Sequence, residues 1–129
     1  MAEGIFKKLI GRKIFVQSAG VFDTLEIDGF TVKVCNEINV KLSKHRVRSL
    51  REMEREGGFI GSFDLIIPLT KESSDEACKY STYSSVMIED WVVNEPIKNE
   101  NDINQTLCSY RTTRDIIFEK IKKRFQSYF

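Results

Sequence analysis

The stretch Phe63-Asp64-Leu65-Ile66-Ile67-Pro68-Leu69 decides how the rest of the chain is read. It is an apolar run of strand length with no alternation, the pattern of a strand covered on both faces, as in a parallel sheet between helices. Pro68 agrees with a strand finishing there. Downstream, helical spacing resumes over Lys71 to Tyr83 through Ala77 and Cys78, and "VMIEDWVV", Val86 to Val93, reads as a second strand. Upstream, "SKHRVRSLREMEREGG" is a polar turn and a short charged helix with Leu50 and Met53 facing inward, closed by Gly57-Gly58.

Farther out, Phe30, Val34, Cys35 and Ile38 keep the spacing of an amphipathic helix over 28–39, which makes Cys35 a core residue. "KIFVQS", Lys13 to Ser18, is β-branched and aromatic and stops at Ala19-Gly20, as a strand ending in a turn does. Ile5, Phe6, Leu9 and Ile10 predict an opening helix without a Ser, Thr, Asp or Asn cap. Ile103, Leu107, Tyr110, Ile117, Ile121 and Phe125 share one face of a long final helix. Helices alternating with strands predict an α/β fold, three layers in αβα order around a short, mostly parallel sheet. Ligands in such sheets sit beyond the carboxyl ends of the strands. That rule selects Ser18-Ala19-Gly20, Leu69-Thr70 and Asn94-Glu95-Pro96 as the functional edge.

With 129 residues, 41% of them hydrophobic, the chain can bury one core, so residues 1–129 are expected to form a single domain. Twenty basic and 19 acidic residues leave a net charge of +1, so no whole-protein field favours nucleic acid or a membrane, and neither is expected as a partner. Cys35, Cys78 and Cys108 are odd in number and widely spaced, against a disulfide framework or a zinc site and in keeping with a reducing, cytoplasmic setting.

Two signals invite over-reading. "CSYRTTR", Cys108 to Arg114, satisfies C-x5-R, but it lies on the apolar face of the last helix, holds no glycine, and is followed by Asp115. The expectation is a packed or half-buried Cys108 with Arg111 and Arg114 in water. His45, the only histidine, has no acidic or cysteine partner at ligand spacing, and one histidine makes no metal site. Lys120, Lys122, Lys123 and Arg124 suit the negative end of a helix dipole.

The ordered series "MAEGIFKKL", "VQSAGV", "LSKHRVRSL", "FDLIIPLTKES" and "EDWVVNEP" with a long last helix resembles the low-molecular-weight protein tyrosine phosphatases over nearly the whole chain. Members of that family open with a central strand and a C-x5-R-S/T-P phosphate loop, directly followed by a helix beginning like Met1-Ala2-Glu3. The resemblance therefore implies a phosphotyrosine phosphatase I-like domain with its first strand missing and the nucleophile absent from residues 1–129. In the family a cysteine thiolate attacks phosphorus while loop amides and an arginine hold the phosphoryl oxygens. An aspartate just before a proline protonates the leaving oxygen and later activates water. Asn94-Glu95-Pro96 matches that position, making Glu95 the candidate general acid, one methylene longer than the family aspartate. The resemblance also implies that His45 hydrogen-bonds the phosphate loop, with Ser18 helping from a neighbouring strand end. No cofactor and no metal is implied.

The substrate implied is a phosphotyrosine protein or a small aryl phosphate, provided the loop is restored; without it, residues 1–129 are expected to be inactive. The alternatives are a noncatalytic binding module of the same fold or, less well matched, an arsenate reductase-like relative, which needs a second cysteine near Cys78. Trp91 and Tyr83 are candidates to line the cleft. A missing central strand would leave Lys13–Ser18 and Phe63–Leu69 without ladder partners, each unpaired group costing about 1–3 kcal/mol. The expected remedy is direct pairing of these two segments in a three-stranded parallel sheet, with self-association as a by-product.

Overall fold

The computed structural model describes all residues except 23–25, 58–59 and 83. Tyr83 and Gly58 therefore lie outside the described residues. The chain divides into two compact units, one of Met1–Ser18, Glu26–Arg46 and Glu95–Phe129, the other of Ala19–Leu25 and Val47–Asn94.

The first unit is helical. α1 spans Ala2–Ile10, α2 Gly29–Asn36, and α5, numbered in chain order, Ile103–Arg124. Ile5, Phe6 and Ile10 form the buried face of α1, and Leu107, Tyr110, Ile117, Ile121 and Phe125 that of α5. Phe6 meets Phe125 edge-on at 5.0 Å between ring centroids, and Phe30 leans on Tyr110 at 5.4 Å. Such pairs add stability beyond their buried area. Val34 and Cys35 of α2 are fully buried, as the helical spacing predicts. Asp28 caps α2, accepting from the Phe30 amide at 2.9 Å.

Two features of α5 depart from its sequence reading. Ile103, placed on the apolar face, is 63% exposed, because it lies in the first turn, ahead of the buried stripe that begins at Leu107. Arg114 is buried in the gap between Tyr110 and Ile117 instead of standing in water. Its Nη1 donates to the Val34 carbonyl and to Glu37 Oε1, each at 2.8 Å, and its Nε donates to Asp115 at 2.9 Å. A carbonyl at the C-terminal end of α2 is thereby satisfied by a cation.

The second unit is the α/β part. β1 (Leu65–Ile66) and β2 (Met87–Ile88) form a parallel pair joined through α4 (Lys71–Ser81). Ladder hydrogen bonds continue past the formal strands, from Met87 N to Asp64 O, Glu89 N to Ile66 O and Trp91 N to Pro68 O, a constant offset of 23 residues. The next, Val93 N to Leu69 O, has an offset of 24, so one extra residue bulges the second strand just before Asn94. Leu65, Ile66 and Ile67 are half-buried rather than fully covered; Pro68 is buried. α4 begins in a reciprocal capping box between Thr70 and Ser73. α3 (Leu50–Arg55) is capped by Ser49, buries Met53, and runs out toward Gly57 at φ 90°.

The protein is thus a helix-rich α/β fold with a short parallel sheet. Among the described residues that sheet has two strands, not three. Lys13–Ser18 forms no strand, and parallel pairing starts only at Gly20, whose partner is Ser49. Gly20 N donates to Arg48 O and Leu50 N to Gly20 O, each at 2.9 Å. The expected pairing of Lys13–Ser18 with Phe63–Leu69 is therefore replaced by a bridge to the segment before α3. The cause lies partly in Ser18, whose amide is held by a carboxylate and cannot enter a ladder. No described helix is long and apolar enough to cross a membrane.

Candidate functional site

The site begins with a glycine. A Cβ on Gly4 would stand 2.6 Å from Leu42 Cδ2 and 2.9 Å from Val40 Cγ1, so only glycine lets the 40–42 segment lie against the first turn of α1. The chain reaches that place by reversing at Asn39, which holds φ 60° just past α2, with Val40 N donating back to Cys35 O at 2.9 Å. Leu42 is buried, and a turn from Leu42 O to His45 N at 3.0 Å then delivers the imidazole.

His45 Nδ1 lies 3.3 Å from Oε2 of Glu3. The other oxygen, Oε1, accepts from the Ser18 amide at 2.6 Å and from the Ser18 hydroxyl at 2.9 Å. Lys7, one turn along α1, donates to Oε2 at 3.0 Å. Burial pushes the Glu3 pKa upward, but hydrogen bonds from Lys7 and Ser18 and the charges of Lys7 and His45 outweigh it and hold the pKa below the ordinary value. The carboxylate therefore stays ionised at neutral pH. Ser18 and His45, singled out from the sequence, come together on a residue that pattern reading did not select. Glu3 stands in the quoted "MAEG", but an acid in a first helical turn reads as a dipole partner and nothing more.

Glu95 follows the bulged end of the ladder and is exposed. Among the described residues, no hydrogen bond or ion pair joins it to Glu3, Ser18 or His45. The segment behind it is pinned instead. Ile97 N donates to Ser109 Oγ at 2.6 Å, and Asn99 N to Thr106 Oγ1 at 2.8 Å. Lys98 Nζ sits 3.2 Å from Asp28 Oδ2, the oxygen that also accepts from the Tyr110 hydroxyl. Burial works against the Asp28 charge, but Tyr110, the Phe30 amide and Lys98 prevail and depress its pKa.

The C-x5-R look-alike lies wholly inside α5. Its amides serve the helix ladder and none can curl about an anion. Cys108 is exposed, rather than packed, and Arg111 holds Glu37 at 2.7 Å rather than standing free in water. Arg48 is paired with Glu56 at 3.2 Å. Trp91 is half-buried and donates from Nε1 to Glu89 at 2.7 Å. Among the described residues, no three His, Cys, Asp or Glu side chains gather as a metal ion requires.

A family model, low molecular weight phosphotyrosine protein phosphatase, matches residues 1–128. The chain belongs to that family. No curated protein matches it at a significant level. Membership in the low molecular weight phosphatase family carries the α/β fold and a place among the phosphatases.

Proposed function

We propose that residues 1–129 supply the scaffold, the loop-bracing groups and the general acid of a cysteine-dependent phosphomonoesterase acting on phosphotyrosine or a small aryl phosphate. The observation that carries this reading is the ionised Glu3 carboxylate joining Ser18 and His45 at the start of α1, in a chain matched by the phosphatase family over residues 1–128. His45 and Ser18 brace a phosphate loop packed against that turn. In the first half-reaction a loop thiolate forms the sulfur–phosphorus bond as the ester oxygen leaves, and Glu95 gives that oxygen its proton. In the second, the Glu95 carboxylate takes a proton from water as the water oxygen attacks phosphorus and the thiolate departs. Free thiols at Cys35, Cys78 and Cys108 suit a reducing, cytoplasmic setting for this chemistry.

Residues 1–129 contain no C-x5-R-S/T-P sequence, so as a polypeptide on their own they are proposed to be inactive. That same fact supports a second reading, a noncatalytic binding module of the phosphatase fold. One pair of measurements separates them. Residues 1–129 alone should not hydrolyse p-nitrophenyl phosphate, whereas a fusion carrying a family strand and C-x5-R-S-P loop ahead of Met1 should. An inactive but folded fusion favours the binding module. Turnover by residues 1–129 that vanishes in Cys108→Ser overturns the reading of Cys108–Arg114 as a chance C-x5-R match with no phosphate chemistry.

A further inference from the structure

We propose that the end of the helical unit where the C-termini of α1 and α5 meet is a docking surface for an anionic lipid bilayer. The even overall charge hides a segregation. Residues 1–20 and 116–129 hold eight Lys and Arg against two Glu, a net of +6 in a chain whose total is +1, leaving −5 for the remainder. The fold brings these two segments together. Phe6 packs edge-on against Phe125, and Lys13 Nζ donates to the Tyr128 carbonyl at 2.5 Å.

Favourable placement against two helix dipoles accounts for Lys7 and Lys8 in the last turn of α1 and for Lys122, Lys123 and Arg124 in that of α5. It does not account for Arg12 and Lys13, which lie past the end of α1 and are exposed. Nor does it account for the aromatic rings at the chain end beside these cations: Phe129 is 54% exposed and Tyr128 41%. Folding gains nothing from leaving such area in water, whereas apolar rings flanked by lysines suit a headgroup layer, the rings entering the acyl boundary and the ammonium groups meeting lipid phosphates. Six of the eight cations are lysines, and phenylalanine has no polar edge with which to read a base. Both points favour a bilayer over nucleic acid.

The test is co-sedimentation of the 129-residue chain with vesicles of phosphatidylcholine alone or with about one third phosphatidylserine, at low and high salt. Binding is expected only to the anionic vesicles and should weaken steeply with salt. Lys122→Glu/Lys123→Glu on α5 and, separately, Lys8→Glu/Arg12→Glu at the end of α1 should each reduce it by about tenfold or more. Phe129→Ser should reduce it several-fold. Arg51→Glu/Lys71→Glu, an equal charge change on exposed positions of the other unit, should leave it unchanged. Circular dichroism reports whether each variant is folded. No binding overturns the proposal, as does equal weakening by the control pair. Binding to duplex DNA or to polyglutamate with none to anionic vesicles also overturns it and reassigns the surface to a nucleic acid or an acidic protein.

Discussion

Glu3 and Ser18 are joined twice through one oxygen, Oε1 of the glutamate accepting the serine amide at 2.6 Å and its hydroxyl at 2.9 Å. This pairing ends the Lys13–Ser18 segment against α1. Removing the carboxylate in Glu3→Ala leaves a half-buried amide and hydroxyl without that acceptor and His45 without its acid. The expected loss is about 1–3 kcal/mol in urea unfolding. Ser18→Ala should cost less, and the double variant less than the sum, since both changes break the same bond. Additive losses would mean that the two residues do not cooperate.

Gly4→Ala tests the close approach that delivers His45. The added methyl meets Leu42, itself 2% exposed and hemmed in, so the segment must move rather than the side chain swing away. A stability loss of about 1–3 kcal/mol is expected despite the better helix propensity of alanine. A neutral or stabilising result would show that Val40 and Leu42 yield without strain.

Glu37 gives the fold an acid-sensitive clamp. Hydrogen bonds from Arg111 come first among the influences that pull its pKa to about 2, with Arg114 adding to them against burial. The folded-state pKa is depressed below the ordinary 4.5, so the stabilisation is fully present above that pH. It fades as pH falls from about 4.5 toward about 2. Unfolding midpoints measured across this window should fall with pH, and Glu37→Gln should flatten that part of the profile. An unchanged slope in the variant would remove Glu37 from the acid response.

Thr106 is 2% exposed, and its hydroxyl both accepts from Asn99 N and donates to Asn99 O at 3.0 Å. Thr106→Val keeps the shape and deletes both bonds. It should cost about 1–3 kcal/mol and raise hydrogen exchange at Asn99. Unaltered exchange would show that other contacts suffice to pin this segment.

In the loop-bearing fusion, Glu95→Gln should lower kcat on a phenyl phosphate by ~10²- to 10⁴-fold, as expected when a general acid is lost. An activated nitrophenyl ester, whose oxygen needs no proton, should be affected far less. Equal small effects on both would remove Glu95 from proton transfer.

Helix content was legible because helical periodicity is local. The spacing of Leu107, Tyr110, Ile117, Ile121 and Phe125 picks out the buried side of α5, and that of Val34 and Cys35 the buried side of α2. The apolar run around Ile66 likewise announced a parallel strand, and "VMIEDWVV" its partner. The order of segments carried the family, and with it Ser18, His45 and Glu95 as candidates. What the sequence could not decide was which distant group each polar atom meets. β-branched composition makes Lys13–Ser18 compatible with a strand, but a strand exists only if its amides find a ladder, and Glu3 had already captured one. Arg114 reads as a surface cation until the Val34 carbonyl and Glu37 stand beside it. Side-chain spacing is written within a few residues of itself, whereas a hydrogen-bond partner is chosen by competition among groups that only the folded chain brings within reach.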